Sequence, residues 1–468
     1  MGHNIDHHSS HHSGSHSVHQ HGHHAEHHGG HSAEHHGAHH ARRGHKKRHL
    51  LPLILLLLLL LGGGCFIFLK MGRPGGRPGK VTIEKLPNGH FQMLVGGKPY
   101  IIMGVCYQPI PPGQDYTYAW WGDPAKPWLV DGQLMKDAAI NTVRFYQPGD
   151  NPQQFKQVIS DLYQKFGVRT ILGHNLGIYD IPPPDYASED YRKQLKEEVL
   201  NIVRTYKDEP GILFWLLGNE NNYSFDDQIA PWGSAELDAI DDPKERGIAK
   251  AKIYYAFVND IARDIKKIDP NHPVAMGNGE VFYLDVAKPL TPDVDILGLI
   301  SYRGMSFGNT WEQADKRLGK PIVLTEFGCD RFNALTKKED QDIQVKFLIS
   351  QWKEILRNTC GKTGKGSVLG GCIFEWNDEW WKHDAANPAS WYVQDEAAGW
   401  TNGAYYYDIE VEGHMNMNEE WYGVVGMSLE KENGVTKRIP KKSYYALKEL
   451  WSKGCDVVEP PRVGKKPN

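Results

Sequence analysis

The chain has 468 residues, a formal net charge of −4 with histidine neutral, and 40% hydrophobic residues. That length suits two or three domains, or one α/β barrel of roughly 250 to 400 residues. Near-neutral charge, without massed basic residues in the foldable part, argues against a nucleic-acid or polyanion partner.

Residues 1 to 49 hold nineteen histidines among Gly, Ser and Ala. Such a stretch buries too little apolar surface to offset chain entropy and is expected to be a disordered tail. Its imidazoles could bind zinc, nickel or copper weakly; a solubilising tail is the plainer alternative. Leu50 to Leu69 then gives twenty residues without a charge, enough for a helix to cross a bilayer core of roughly 30 Å. A transmembrane anchor is therefore expected over residues 50–70. The long charged leader and the apolar FIFL after Cys65 disfavour a cleaved signal or a lipoprotein signal at Gly63-Gly64-Cys65. Five basic residues (Arg42, Arg43, Lys46, Lys47, Arg48) precede the segment and four (Lys70, Arg73, Arg77, Lys80) follow it. This places the N-terminus in the cytoplasm by a narrow margin, and the rest in the periplasm or outside the cell. Residues 71–80 read as a Gly/Pro linker.

From Val81 to Cys455 the texture is that of one α/β domain, followed by a short tail over 456–468. A hairpin with an Asn88-Gly89 turn comes first. Eight apolar runs of strand length follow: Ile101 to Tyr107, Thr142 to Tyr146, Thr170 to His174, Ile212 to Gly218, Val274 to Gly277, Ile296 to Ile300, Ile322 to Thr325 and Gly371 to Phe374. Amphipathic stretches such as PQQFKQVISDLYQKFG and YRKQLKEEVLNIVRTYKD separate them, and KKSYYALKELWSKG can supply an eighth helix. The pattern predicts a (β/α)₈ TIM barrel with its active site at the C-terminal ends of the strands.

Those ends carry polar and aromatic residues: Tyr107 after the first strand, Arg144 and Tyr146 at the second, and His174 and Asn175 at the third. Asn219 and Glu220 follow the fourth, Ser301 and Tyr302 the sixth, Glu326 the seventh, and Glu375 and Trp376 the eighth. Glycoside cleavage with retention needs one carboxylate as nucleophile and one carboxylic acid to protonate the departing oxygen. Arg144 and Tyr302 would favour the charged form of Glu326. Glu220, which follows the apolar run LFWLL and faces that charge, would be the acid. Asn219 is then placed to bond the sugar 2-hydroxyl, and Trp376 to offer a flat face to a pyranose ring.

GNEN at 218–221 with LTEFG at 324–328 resembles the acid/base and nucleophile motifs of the clan of retaining (β/α)₈ glycoside hydrolases that carry these glutamates on strands four and seven. GVCYQP (104–109), NTVRFY (141–146) and TEFGC (325–329) resemble the β-1,3-glucanosyltransferases of glycoside hydrolase family 72. FEWNDEWWK (374–382), NEEWYGVVG (418–426) and SYYALKELW (443–451) are more similar to family 2 catalytic barrels. The resemblance implies catalysis by Glu220 as acid/base and Glu326 as nucleophile. It also implies substrate support from Asn219, Arg144, Tyr302 and Trp376.

His174 could contact a sugar hydroxyl or be a packed rim residue, and Tyr107 is a further candidate for substrate contact. Glu375 or Asp378 could bind substrate or cap a turn. Trp380, Trp381, Trp391 and Trp400, with Tyr118, Trp120 and Trp121, could wall a cleft or pack the loops. Six dispersed cysteines with no CxxC pair predict no metal site, and no cofactor is expected. Cys106 and Cys372 read as core side chains, and Cys360 and Cys455 as the disulfide candidates. The function expected is that of a membrane-anchored retaining β-glycosidase or transglycosidase on an oligo- or polysaccharide, an envelope or extracellular β-glucan. The alternative is a silent barrel that binds glycan or a protein partner at the membrane.

Overall fold

The structure, a computed structural model, describes residues 79–333, 336–359, 366–382, 384, 386–396 and 418–457. The histidine tail, the apolar segment Leu50 to Leu69, most of the linker, Trp400 and Cys360 lie outside the described residues. Among the described residues, no helix is long and apolar enough to cross a membrane.

Each of the eight apolar runs is a strand, and together they close a barrel. The strands are β1 (Ile102–Cys106), β2 (Thr142–Phe145), β3 (Arg169–His174), β4 (Ile212–Leu217), β5 (Val274–Gly279), β6 (Ile296–Ile300), β7 (Ile322–Gly328) and β8 (Val368–Phe374). All neighbours pair in parallel, and β8 returns to β1 with Gly370 opposite Ile102 and Ile373 opposite Val105.

A helix follows every strand: α1 (Pro127–Asp137), α2 (Pro152–Phe166), α3 (Glu189–Tyr206), α4 (Pro243–Ile268), α5 (Leu284–Leu290), α6 (Thr310–Arg317), α7 (Gln341–Thr359) and α8 (Lys442–Lys453). Their starts follow local capping chemistry. Asn151 and Ser188 accept from the backbone N–H groups of Gln154 and Tyr191, at 3.2 and 3.3 Å. The expected eighth helix is therefore α8. It comes after a long excursion from β8 that contains a second hairpin, Val425–Glu432 with Val435–Pro440.

The core has two layers. Ile102, Ile171, Phe214, Leu216, Ala275, Val323 and Cys372 fill the barrel, and the first hairpin adds Val81, Met93 and Val95 to the same cluster. These hairpin residues meet the starts of the strands, so the hairpin, Val81–Lys85 with Phe91–Val95, stoppers the N-terminal mouth and leaves the other end for a site. The second layer lies between strands and helices and includes Val143, Phe145, Trp215, Leu324, Phe327 and Trp352.

Cys106 and Cys372 are buried free thiols, as expected of core side chains. Cys455 is disulfide-bonded, and its partner lies outside the described residues. The last element, Gly454–Val457, ends two residues beyond the expected domain boundary.

Candidate active site

Alternation along β2 sends Val143 and Phe145 outward to the helices and Arg144 and Tyr146 into the mouth. On β7 simple alternation fails. Val323 packs inside the barrel, yet Leu324 and Phe327 both pack outside, because the pairing register with β6 and β8 shifts between Leu324 and Phe327. This bulge turns Glu326 inward, a use of bulges that recurs beside active sites. On β4 the chain leaves the barrel at Gly218, whose φ of 84° is open to glycine, and Glu220 follows with a φ of 56°.

Glu326 is only 8% exposed and receives three hydrogen bonds. Arg144 Nη1 donates to its Oε2 at 3.0 Å and Tyr146 to the same oxygen at 2.6 Å, while Tyr302 donates to Oε1 at 2.7 Å. Three donors converging on one carboxyl are the partners a carboxylate takes. Burial first, and then neighbouring charges that include Glu326, push the phenols of Tyr146 and Tyr302 well up, so both stay protonated as donors.

Arg144 is itself buried, lies 4.1 Å over the ring of Tyr146, donates to the Thr325 carbonyl at 2.9 Å, and reaches Asn219 Oδ1 with Nη2. One guanidinium thus ties the β7 glutamate to the β4 asparagine.

Glu220 is the opposite case, since its side chain makes no capping bond and its pKa is raised to about 8. Burial is the largest cause, followed by the charges of Glu326 and Glu419, with Arg144 opposing. The two carboxyls are thus set apart, one held by three donors and the other pushed up by burial and by its neighbour's charge.

Asn219 adjoins Glu220 in the chain and shares Arg144 with Glu326. Its Oδ1 accepts from Arg144 and its Nδ2 donates to the Tyr179 hydroxyl at 2.6 Å, which fixes its orientation at the mouth.

The structure packs three expected substrate contacts against the protein. Trp376 is fully buried in the outer layer, donates Nε1 to Asp131 Oδ1 at 2.9 Å and packs near Tyr444, so it offers no face to a sugar. Tyr107 is 1% exposed and donates to Asp131 Oδ2 at 2.9 Å. His174 is the packed rim residue of the alternative reading: Nδ1 accepts from the Leu176 N–H at 3.0 Å, and Nε2 lies 3.4 Å from Glu198. In the first two cases the side chain follows the end of its strand, where the two-residue alternation no longer decides which way it points.

The other rim candidates divide likewise. Asp378 accepts from Arg331 Nη1 and Nη2 at 2.6 Å each and from the Gly423 N–H at 2.8 Å, a tie between loops. Trp380 and Trp391 are buried in the excursion after β8, while Trp381 stays half-buried against Tyr116. Tyr118 bonds Asp123, Trp121 bonds Asp150, and Trp120 stacks on Phe145.

Glu375 is 2% exposed and its Oε1 has no hydrogen-bond partner. Burial, and then Glu379 and Glu419, push its pKa well up. Lys382 lies 2.9 Å from Glu379 and 2.6 Å from Glu419.

Sequence reasoning left three contributors without a role. Tyr146 lies two residues after Arg144, and that spacing alone puts it on the same face of β2. Tyr179 reaches Asn219 from the loop after β3. Glu280, after β5, takes a hydrogen bond from Ser301 at 2.7 Å and pairs with Arg303; the sequence NGE after the strand was its only signal. Among the described residues no group of three or more His, Cys, Asp or Glu could hold a metal ion.

No protein-family model matches the chain. The beta-galactosidase of Lactococcus lactis subsp. lactis (strain IL1403) is 24% identical over 152 residues, 32% of this chain and 14% of that protein. A protein of Oryza sativa subsp. japonica described as a mannan endo-1,4-beta-mannosidase is 26% identical over 194 residues, 33% of this chain and 41% of that one. The chain thus spans less than half the length of these curated relatives. Among solved structures, the beta-glucuronidase of Bacteroides uniformis superposes with a TM-score of 0.49 at 15% identity, covering 77% of this chain and 38% of that one. The GH2 beta-galacturonidase from Eisenbergiella tayi superposes with a TM-score of 0.48 at 15% identity, covering 81% and 54%. Each of these proteins is described as a glycosidase.

Proposed function

We propose that the protein is a membrane-anchored retaining β-glycosidase or transglycosidase acting on a cell-envelope or extracellular β-glucan. The observation that carries the chemistry is the contrast between the two glutamates: three donors on Glu326, and a pKa of about 8 on Glu220. In the first step a Glu326 oxygen attacks the anomeric carbon while Glu220 gives its proton to the departing oxygen.

Ester formation removes the charge of Glu326, the second-ranked cause of the raised pKa on Glu220. The deprotonated Glu220 is then stabilised as a carboxylate and can take a proton from water or from a sugar hydroxyl. The same electrostatic coupling therefore serves acid and base in turn.

The membrane reading rests on the uncharged run Leu50 to Leu69, and the β-glucan reading on the motifs shared with family 72.

Three measurements test these points. An NMR time course with a β-glycoside is expected to show the β-anomer as first product, and the α-anomer would rule out double displacement. The basic limb of kcat/KM is expected near pH 8: activity is present while Glu220 holds its proton and falls as pH rises through that value. Glu220→Gln should remove that limb, and a profile flat through pH 8 in the native protein would defeat the assignment. A reporter fused after Asn468 is expected to be active only on the non-cytoplasmic side; cytoplasmic activity would refute the topology.

A further inference from the structure

Of the ten large apolar side chains that stand exposed among the described residues, six lie in the segments that follow barrel strands at their C-terminal ends, and the other four (Val130, Leu429, Ile439 and Tyr445) lie on helices and on the second hairpin. Tyr116 belongs to the loop after β1, Tyr179 and Ile181 to the loop after β3, Phe282 to the loop after β5, and Tyr392 and Val393 to the excursion after β8.

Two of these are attached to the segment that carries the acid. Tyr179 is 54% exposed while its hydroxyl accepts from Asn219 Nδ2 at 2.6 Å. Phe282, 45% exposed, lies edge-on against Tyr223 with ring centroids 6.2 Å apart. Tyr223 in turn donates its backbone N–H to the Glu220 carbonyl at 3.0 Å. Two exposed aromatic rings, from the loops after β3 and β5, are thus tied to the segment of Glu220, one through Asn219 next to it and one through Tyr223 three residues on.

The proton that Glu220 gives goes to the oxygen of the departing sugar, so that sugar must lie beside Glu220. A pyranose ring presents a face of C–H groups, and an exposed aromatic ring fixed at one edge can cover that face with little loss of side-chain freedom. The Tyr179 hydroxyl accepts from Asn219, which holds the ring by that edge.

We infer that Tyr179 and Phe282 form the platform for the sugar on the leaving side of the scissile bond, and that the same platform holds an acceptor sugar in the second step. The inference rests on the glycosidase reading and adds the residues that hold the leaving and the accepting sugar. In that step the acceptor hydroxyl oxygen bonds to the anomeric carbon and the bond from that carbon to Glu326 breaks. Glu326 leaves as a carboxylate, and the hydroxyl proton passes to Glu220. Water follows the same route, so transfer and hydrolysis compete for one intermediate.

The test is the ratio of transfer to hydrolysis with the full chain. The 2,4-dinitrophenyl β-D-glucoside, β-D-galactoside and β-D-mannoside serve as donors, with cellobiose and laminaribiose as acceptors. Both products arise from the same glycosyl-enzyme, so slower chemistry or a smaller folded fraction leaves the ratio unchanged. Tyr179→Ala and Phe282→Ala are each expected to lower it about tenfold, the scale of losing one buried ring contact. Tyr179→Phe, which keeps the ring, should stay within about twofold of the native ratio.

Alanine variants with the native ratio would overturn the inference. So would a native protein that hydrolyses a donor and transfers to neither acceptor, or a Tyr179→Phe ratio that falls as far as that of Tyr179→Ala. A native protein that turns over none of the donors would remove the glycosidase reading and this inference together.

Discussion

Glu326→Ala is expected to abolish turnover, with kcat falling on the order of 10⁵-fold, the scale seen when a covalent nucleophile is deleted. The variant also leaves the buried Arg144 without its carboxylate and the Tyr146 and Tyr302 hydroxyls without their acceptor. An unpaired buried charge destabilises on its own account. Glu326→Gln separates the two effects, because it keeps the shape and an acceptor oxygen while removing the nucleophile. Initial rates on the three aryl donors, with thermal unfolding of each variant, make the measurement. A Glu326→Gln protein that folds and retains native rates would end the assignment.

Glu220→Ala should behave differently with different leaving groups. With a poor leaving group kcat/KM is expected to fall by 10²- to 10⁴-fold, the usual contribution of a positioned acid. With a dinitrophenolate, which departs without a proton, the first step should be nearly native and the second slow, because no base remains to activate water. Azide, small enough for the space vacated by the carboxyl and needing no base, should restore the rate and yield a glycosyl azide of retained configuration. Equal losses on good and poor leaving groups, with no response to azide, would show that Glu220 is not the acid.

The barrel was legible because its strands are parallel and covered on both sides, so each reads as a continuous apolar run such as Ile212–Leu217. The candidate pair was legible because Glu220 and Glu326 stand at the ends of the fourth and seventh apolar runs, in the motifs GNEN and LTEFG. What the sequence hid was direction.

Trp376 and Tyr107 follow strand ends as closely as Glu220 does, yet both turn outward to Asp131. That buried carboxylate also takes two bonds from Arg438. Residues 107, 131, 376 and 438 meet at a point that no local pattern announces, since their spacing in sequence follows no helix or strand period. The bulge that turns Glu326 inward was equally hidden, because pairing register depends on neighbouring strands rather than on the residues of β7 alone. Tyr146 was within reach of a period-two argument from Arg144. Tyr179 was not, since a loop sets its position.

The backbone at Glu220 has a further consequence. A side chain other than glycine in the left-handed region costs about 1 to 2 kcal/mol. Here it also carries a carboxyl that burial and neighbouring charge hold away from its ordinary ionisation. Glycine at this position would relieve the first cost and any small apolar residue the second. A barrel shaped only for resistance to heat would therefore have no use for a glutamate at this position.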